Sequence, residues 1–279
     1  MQLFKRLNQA IAIALSFFFF LSADVEAAEG IRVHFINCGY GDCILVELGT
    51  DETLLIDAGG NQYATNLLKY LKKRNVRKID TVIITHPHQN HFEGLMHILK
   101  TIPVNDILIN GDENAEDGFS PLLALISKKQ IPLGIVGQGS RIKTKANGVS
   151  IDILHPANLS GNTNENSLVT QIKYFDIMFL LTADIGLMQQ DDLVTNFPEI
   201  RFANVVQVPH HGGPLSQQFI RAFLNPIFVI STERNVWGIP ASEDLEKLGG
   251  NPLRTDQNGT IIFESDGQTI RIIENRDPK

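Results

Sequence analysis

Residues 79–95, IDTVIITHPHQNHFEGL, carry an apolar run directly into a cluster of histidines. The run IDTVII is typical of a strand that is buried on both faces of its sheet. His86, His88 and His91 follow it at once. Loops at the ends of strands are where a rigid scaffold holds functional side chains, and neutral imidazole is a good ligand for zinc and similar metals. The stretch therefore predicts a metal site at the end of a buried strand.

The spacing inside the cluster indicates which of its histidines can bind the same metal ion. His86 and His88 are two positions apart, so both can turn toward one ion from an extended segment. His91 starts the next predicted helix and can point to a neighbouring ion. A single histidine in an apolar stretch is usually packed and hydrogen-bonded, but three beside one apolar strand are hard to explain in that way.

Further polar residues stand where other apolar segments end. Asp184 ends FLLTADI, and a carboxylate there needs a partner, although aspartate is also a leading helix N-cap. His210 and His211 follow VVQV, and Asp57 ends LLID before two glycines. We expect Asp57 to be a structural hydrogen-bonding residue rather than a ligand. Together these positions suit one or two divalent metals with an open coordination position, most simply zinc, with manganese as an alternative.

The rest of the chain alternates strand and helix patterns. Apolar alternation and β-branched residues predict strands at 31–37, 44–48, 53–56, 104–109, 133–136, 149–154, 168–174, 177–181, 205–208, 226–230, 261–263 and 270–273. Helical spacing of apolar residues predicts helices at 62–74, 92–99, 121–128 and 243–248. No linker or repeat interrupts them. The pattern predicts one α/β (α+β) domain over residues 29–279, with helices packed outside a large layered sheet.

Residues 1–28 resemble a targeting segment rather than a part of the fold. Lys5 and Arg6 precede the short apolar stretch 11–21, and small residues follow at a plausible cleavage site. We predict a secretory signal peptide, with an uncleaved N-terminal anchor as the alternative. Either interpretation places the domain outside the cytoplasm, as a periplasmic or secreted protein. An oxidising compartment permits a Cys38–Cys43 disulfide, and the alternative is two small buried side chains.

Composition limits the partners of the domain. The chain of 279 residues is 43% hydrophobic, an ordinary globular composition, and its net charge is −7. Such a charge gives no overall attraction to nucleic acid or to anionic membrane. No extended nucleic-acid surface and no membrane contact apart from the N-terminal segment are expected, which favours a small molecule as substrate.

Taken together, the segments resemble the metallo-β-lactamase superfamily, whose signature HxHxDH is followed by a later Asp and His. The likeness is stronger to the competence-type branch, the hydrolase domain of ComEC-like DNA-uptake proteins and their free-standing relatives. The matching segments span Val33 to Phe263 and are VHFINCGYGDCILVEL, LLIDAGGN, IDTVIITHPHQNHFEGL, ENSLV, FLLTADI, VVQVPHHG and RTDQNGTIIF. The resemblance implies a single-domain αββα sandwich with a metal site at the edges of its sheets.

The resemblance also implies roles for individual residues. His86 and His88 would bind the first metal, and Asn90 with His91 would serve the second. Asp184 would bridge the metals, and Asn90 and Asp184 are the expected catalytic positions. His210 is favoured as the late ligand because it lies nearest the strand end, with His211 beside it. ENSLV stands where many members carry a middle histidine, and His155, the spare histidine nearby, is expected to be structural.

Two positions depart from the family pattern. Asn90 replaces the aspartate of HxHxDH, and Ile239 stands where branch members commonly have the histidine of a GHP segment. An amide keeps the shape of the carboxylate but lacks its charge, which should weaken the second site. The resemblance implies a metal-dependent hydrolase, foremost a phosphodiesterase or nuclease. The alternatives are a degenerate relative that binds a metal or ligand without catalysis, and an acyl hydrolase of the β-lactam-cleaving type.

Overall fold

The computed structural model describes residues 30–49, 51–233 and 235–274, which form two stacked sheets with helices on their outer faces. The predicted signal peptide or anchor at 1–28 lies outside the described residues. Within them, no helix has both the length and the apolar character needed to cross a membrane.

The first sheet combines antiparallel and parallel pairing in the order β15–β14–β1–β2–β3–β4–β5–β6. Its strands are β1 (Ile31–Phe35), β2 (Ile44–Leu48), β3 (Glu52–Ile56), β4 (Ile79–Ile83), β5 (Val104–Ile109), β6 (Leu133–Ile135), β14 (Ile261–Ser265) and β15 (Ile270–Glu274). The strands from β3 to β6 are parallel, whereas β15, β14, β1, β2 and β3 pair antiparallel in succession. The strands predicted at 31–37, 44–48 and 53–56 are confirmed, and they pair antiparallel.

The second sheet repeats this plan in the order β13–β12–β11–β10–β9–β8–β7. Its strands are β7 (Arg141–Ile142), β8 (Val149–His155), β9 (Val169–Tyr174), β10 (Ile177–Leu181), β11 (Val205–Gln207), β12 (Ile227–Ile230) and β13 (Leu253–Arg254). The strands from β10 to β13 are parallel and those from β7 to β10 antiparallel. The strands predicted at 168–174 and 177–181 are confirmed, and they form a hairpin.

Helices cover the outer faces of both sheets. They are α1 (Ala64–Lys73), α2 (Gln89–Phe92), α3 (Leu95–Thr101), α4 (Phe119–Lys128), α5 (Leu187–Asn196), α6 (Gln217–Ala222), α7 (Ser242–Lys247) and α8 (Thr255–Asn258). The helix predicted at 92–99 is divided into α2 and α3 at Gly94. A Cβ atom on Gly94 would lie 2.0 Å from the carbonyl oxygen of Ala58, so this close approach to the loop after β3 requires glycine.

Successive residues of the central strands serve two different cores. In β2, Leu45 packs in the cluster under the helices α1, α3 and α4, whereas Ile44 and Val46 face the second sheet. Side chains alternate between the two faces of a strand, so a strand covered on both faces must be apolar along its whole length. The predicted αββα sandwich is confirmed by these layers.

The same plan gathers the candidate ligands. β3 and β4 end at Ile56 and Ile83, and β10 and β11 end at Leu181 and Gln207. The metal ligands predicted from the sequence lie in segments that follow these strands, namely His86, His88, Asn90, His91, Asp184 and His210. Functional loops of an open α/β sheet collect at the carboxyl ends of its parallel strands, and here both sheets contribute to one edge.

Candidate metal centre

One oxygen atom, Asp184 Oδ2, lies among four imidazole rings. It is 3.3 Å from Nε2 of His91 and 3.4 Å from Nε2 of His211. It is 3.8 Å from Nε2 of His86 and 3.9 Å from Nε2 of His210. The carboxylate and the first three histidines are buried. We call Asp184, His86, His91 and His211 the central cluster.

The geometry of the described residues contains three groups that could hold a metal ion. They are His86 with His91 and Asp184, Asp42 with Asp57 and His91, and Asp42 with Asp184 and His211. The first and third share Asp184, so its carboxylate stands between two sets of ligands. This is the bridging position that the resemblance implied for Asp184.

Hydrogen bonds to Nδ1 decide which ring nitrogen faces the cluster. His91 Nδ1 lies 2.7 Å from Asp57 Oδ2, and His211 Nδ1 lies 3.0 Å from the carbonyl oxygen of Ser231. A carboxylate and a carbonyl only accept, so Nδ1 carries the proton in both rings. Nε2 of each ring therefore presents a lone pair to Asp184. A partner of this kind, which fixes the tautomer and the ring orientation, is common for metal-binding histidines.

His86 is oriented by two hydroxyl groups. Its Nδ1 lies 3.1 Å from both Thr85 Oγ1 and Ser167 Oγ. Thr85 donates its proton to Asp57 Oδ2 at 2.7 Å, so toward His86 it can only accept. His86 Nδ1 is then the donor, and in the neutral ring Nε2 carries the lone pair that a metal would use. Ser167, from the ENSLV segment, also accepts the amide proton of Asp184 at 3.2 Å and so links the ring to the central carboxylate.

The electrostatics of the cluster favour a cation at its centre. Burial raises the pKa of Asp184, but the facing His211 and His91 outweigh it and hold that pKa well below the ordinary value. Burial lowers the pKa of His91, yet Asp184 and Asp57 hold it well above the ordinary value. Burial, with His91, keeps the pKa of His86 well below its ordinary value. A metal must therefore compete with protons, because the ligands bind it in their deprotonated forms.

The unpaired atoms and their spacing fit a divalent metal. Asp184 Oδ1, His91 Nε2 and Asp42 Oδ1 are buried and make no hydrogen bond to any described residue. His91 Nε2 and Asp184 Oδ2 are 3.3 Å apart, and once His91 loses its Nε2 proton both atoms offer a lone pair to a metal between them. Tetrahedral zinc with bonds of about 2.0–2.1 Å places its ligand atoms about 3.4 Å apart. The nitrogen and oxygen donors of the cluster fit such an ion in type and in spacing.

The chain segment that carries the two late histidines has an unusual backbone. His210 and His211 adopt φ values of 51° and 58°, both in the left-handed region. The amide of His210 donates to the carbonyl oxygen of Ala183 at 2.9 Å, which ties this turn to the loop of Asp184. Non-glycine residues held in this region cost free energy and cluster at functional sites. The turn directs the buried His211 into the cluster and leaves the side chain of His210 31% exposed.

The structure corrects the choice between these two histidines. The sequence favoured His210 as the late ligand because it is nearest the strand end, but His211 is the one that joins a metal-binding group. His210 belongs to none of these groups and lines the open cavity instead. The left-handed backbone at both residues is the physical reason. It turns the side chain of His211 into the cluster and leaves that of His210 in the cavity.

The remaining predicted residues occupy distinct places. His88 Nδ1 lies 3.0 Å from His86 Nε2, at the cavity side of the cluster. The Asn90 amide nitrogen donates to His211 Nε2 at 3.1 Å. Asp57 accepts hydrogen bonds from Thr85 and His91, and it also belongs to one of the three groups that could hold a metal.

Two further predictions concern residues away from the cluster. His155 donates from Nε2 to the carbonyl oxygen of Glu165 at 2.7 Å, which suits the structural role expected for it. Cys38 and Cys43 are free thiols and both are buried, so the structure contains no disulfide between them. Cys38 Sγ instead lies 3.4 Å from the carbonyl oxygen of Gly41. The alternative of two small buried side chains describes them.

Asp42 belongs to the site although the sequence did not single it out. Its carboxylate is buried and accepts from Gln207 Nε2 at 2.7 Å, which links the loop after β1 to β11. A Cβ atom on Gly41 would lie 2.2 Å from the carbonyl oxygen of Asn90, so this loop touches the histidine segment directly. The signal that could have identified Asp42 is its place directly after glycine in GYGDC, at the end of a loop between two strands.

A cavity of about 750 Å³ opens onto the cluster. Asp184, His88, Asn90 and His210 lie at its inner end. Among the described residues, its walls also include the carboxylates of Glu93, Glu116 and Glu233 and the side chains of Tyr40, Val236, Trp237 and Ile239. A substrate of modest size can therefore reach the exposed side of the cluster.

A carboxylate shared by two groups that could hold a metal lies at the common edge of an αββα sandwich, beside an accessible cavity. Fold and site together define a candidate metal centre. Residues 36–164 match the model of the metallo-beta-lactamase superfamily. This match and the layers described above agree on a metallo-beta-lactamase fold, which confirms the resemblance stated from the sequence.

Individual relatives agree with this assignment. The chain is 26% identical over 261 residues to ComE operon protein 3 of Bacillus subtilis (strain 168), covering 85% of this chain and 33% of that protein. It is 27% identical over 128 residues to Exodeoxyribonuclease YycJ of Bacillus anthracis, covering 44% of this chain and 47% of that protein. The chain thus spans a third to a half of these two relatives.

Among solved structures, the fold is similar to YhfI, a metallo-beta-lactamase fold protein of Bacillus subtilis. The TM-score is 0.56 at 16% identity, and the alignment covers 85% of this chain and all of YhfI. The likeness extends across nearly the whole described domain and shows a shared fold.

Proposed function

We propose that the protein is an exported, metal-dependent hydrolase of phosphodiesters. The observation that carries the proposal is the placement of Asp184 Oδ2 among the Nε2 atoms of the cluster, at the inner end of an open cavity. The two relatives, one named as a protein of the ComE operon and the other as an exodeoxyribonuclease, favour a phosphodiester as substrate. Export to the periplasm or medium is proposed from the predicted signal peptide.

The proposal assigns separate roles to the residues of the site: metal binding, orientation of the metal ligands and contact with the substrate. His86, His91, Asp184 and His211 would hold the metal, and Asp57 and Ser231 would orient two of the rings through Nδ1. A divalent metal, zinc or manganese, lowers the pKa of water and offsets negative charge that develops in the transition state. His88 and His210 line the cavity and would contact the reacting phosphate group from the protein side.

The size and charge of the site favour a small substrate. The cavity walls carry several carboxylates, and the net charge of the chain is −7. Tight binding to long nucleic acids requires many Lys and Arg contacts to phosphates. A short or small phosphodiester fits these walls better than a long duplex.

The proposal predicts metal-dependent hydrolysis of a chromogenic phosphodiester. The protein is stripped with a chelator, reloaded with Zn²⁺ or Mn²⁺ and assayed with bis(p-nitrophenyl) phosphate, with nitrocefin as an acyl substrate for comparison. We expect hydrolysis of the phosphodiester to disappear on chelation and to return with metal, because the proposed ligands create the reactive centre. Hydrolysis that survives chelation, or none with either metal, would contradict the proposal.

A degenerate, non-catalytic relative is the second candidate, and Asn90 is the observation behind it. Its amide donates to His211 Nε2, the nitrogen that a metal would use, and it brings no negative charge to the cluster. We expect Asn90→Asp to bind metal about tenfold more tightly than the wild type, the scale of changes next to metal ligands. Hydrolysis should rise in parallel. Metal affinity is measured by competition with a chromophoric chelator.

Asn164→Asp is the matched control, because Asn164 lines the same cavity and lies outside the metal-binding groups. It adds the same charge to the cavity without adding a ligand. Equal metal affinity in the wild type and Asn90→Asp would refute the prediction. A wild type without activity beside an active Asn90→Asp would establish the degenerate relative instead.

A further inference from the structure

An unbroken series of aromatic rings leads from the metal centre to the rim of the cavity. The ring of Tyr40 lies 4.3 Å from that of His211, between centroids, and 4.7 Å from that of Trp237. The planes of Tyr40 and Trp237 are inclined by 34°, so the two rings are closer to parallel than to perpendicular. We call Tyr40 and Trp237 the aromatic platform.

The outer ring of this platform is exposed although it is large and apolar. Trp237 is 64% exposed and the neighbouring Val236 is 91% exposed. Neither belongs to any of the buried hydrophobic clusters of the described residues. Single exposed apolar residues are ordinary, but these two stand together on the wall of the cavity that opens onto the metal centre. A tryptophan at such a place is available to a ligand.

The loop that carries Trp237 is held in place by one side chain. Asn235 Oδ1 accepts the amide protons of Trp237 at 3.1 Å and Ile239 at 3.2 Å. Its Nδ2 donates to the carbonyl oxygens of Glu233 at 2.9 Å and Ile239 at 2.5 Å. These four hydrogen bonds use the full capacity of the amide group. The indole is therefore presented on a braced turn, which reduces the entropy lost when a ligand orders it.

The charges on the cavity walls do not favour a substrate that binds through several phosphate groups. Glu93, Glu116 and Glu233 line it, and none of its described lining residues is Lys or Arg. Among the described lining residues, a chain of phosphates would find no Lys or Arg to pair with. Affinity for the rest of a substrate must come from uncharged contacts, and the platform is the largest apolar surface that the described walls provide.

From this arrangement we propose that the aromatic platform stacks one planar aromatic group of the substrate, such as an unpaired nucleobase, while the attached phosphodiester lies at the metal centre. The inference rests on the proposed function and narrows its substrate class to phosphodiesters that carry a nucleoside opposite the leaving group. Stacking on an aromatic side chain tolerates any base, because every base has a π face. Tyr40 acts as a positioning residue that supports the indole.

Fluorescence tests the proposal without requiring turnover. Trp237 is the only tryptophan in the sequence, so the indole emission of the full chain reports on this position alone. The metal-loaded protein is titrated with adenosine 5′-monophosphate and, separately, with ribose 5-phosphate, which carries the same phosphate without a base. We expect saturable quenching by the nucleotide and none by the sugar phosphate. Equal quenching by both, or none by the nucleotide, would overturn the proposal.

A kinetic comparison assigns the effect to substrate recognition. For the p-nitrophenyl ester of thymidine 5′-monophosphate, we expect Trp237→Ala to raise KM about tenfold, the scale of one lost base stack. Methyl p-nitrophenyl phosphate has the same leaving group but no second ring, and its KM should not change. Trp237→Phe keeps an aromatic ring, so its KM for the thymidine ester should stay close to that of the wild type. Phe202→Ala is the control, since Phe202 is 53% exposed and lies outside the cavity.

The two experiments separate the platform from the proposed function. If no ester is hydrolysed with any metal while the nucleotide still quenches selectively, the hydrolase proposal fails and the platform stands. If both esters are hydrolysed but Trp237→Ala changes them equally, the hydrolase proposal stands and the platform is refuted.

Discussion

Asp184→Asn is expected to remove metal from the centre and to lower phosphodiester hydrolysis about a thousandfold. Asp184 Oδ2 lies within 3.9 Å of four imidazole nitrogens, and the carboxylate belongs to two of the three candidate metal-binding groups. An amide of the same shape cannot supply the negative charge that both groups share. Loss of a metal that provides several kcal/mol of transition-state stabilisation corresponds to about three orders of magnitude in rate. Metal content and hydrolysis are measured on the same preparation.

Asp244→Asn provides the control for this experiment. Asp244 is also a buried aspartate, but it binds Lys247 and lies outside the metal-binding groups. It should leave metal content and hydrolysis unchanged, which separates loss of a ligand from general damage to the fold. If Asp184→Asn binds metal as tightly as the wild type does, the central role of this carboxylate is wrong.

The sequence predicted the layered fold well because its signals are local and repeated. Strands covered on both faces must be apolar throughout, and the run IDTVII predicts such a strand from local sequence alone. Candidate ligands could be found for the same reason, since each of them follows an apolar strand. His86, His91 and Asp184 meet because the parallel strands of both sheets end at one edge.

What the sequence missed depends on contacts between distant segments. The place of Asp42 in the site follows from the approach of Gly41 to the Asn90 backbone, and no local pattern reports such a contact. The break between α2 and α3 at Gly94 likewise follows from the nearness of Ala58. In both cases a glycine marks the contact, so glycine beside a chemistry-bearing residue is a useful signal, but its partner cannot be found from the sequence alone.

The late histidine shows the same limit and leads to the second prediction. Order along the chain favoured His210, whereas the left-handed backbone at both positions turns His211 into the cluster. Asparagine tolerates positive φ better than most residues, so His210→Asn and His211→Asn change the imidazoles with little added backbone strain. We expect His211→Asn to weaken metal binding at least about a hundredfold, beyond the range seen for residues that only contact metal ligands.

His210→Asn should keep its metal, because its ring lies outside the three metal-binding groups and faces the cavity. Its effect should fall on hydrolysis, by about a hundredfold, the lower end of the range for a side chain that transfers a proton to or from the reacting group. Competition with a chromophoric chelator measures affinity in both variants, and hydrolysis is assayed at saturating metal. The two histidines are adjacent and share the same backbone conformation, so each variant controls for the other. If His210→Asn loses as much metal as His211→Asn does, His210 also binds the metal. The assignment of the late-ligand role to His211 alone would then be wrong.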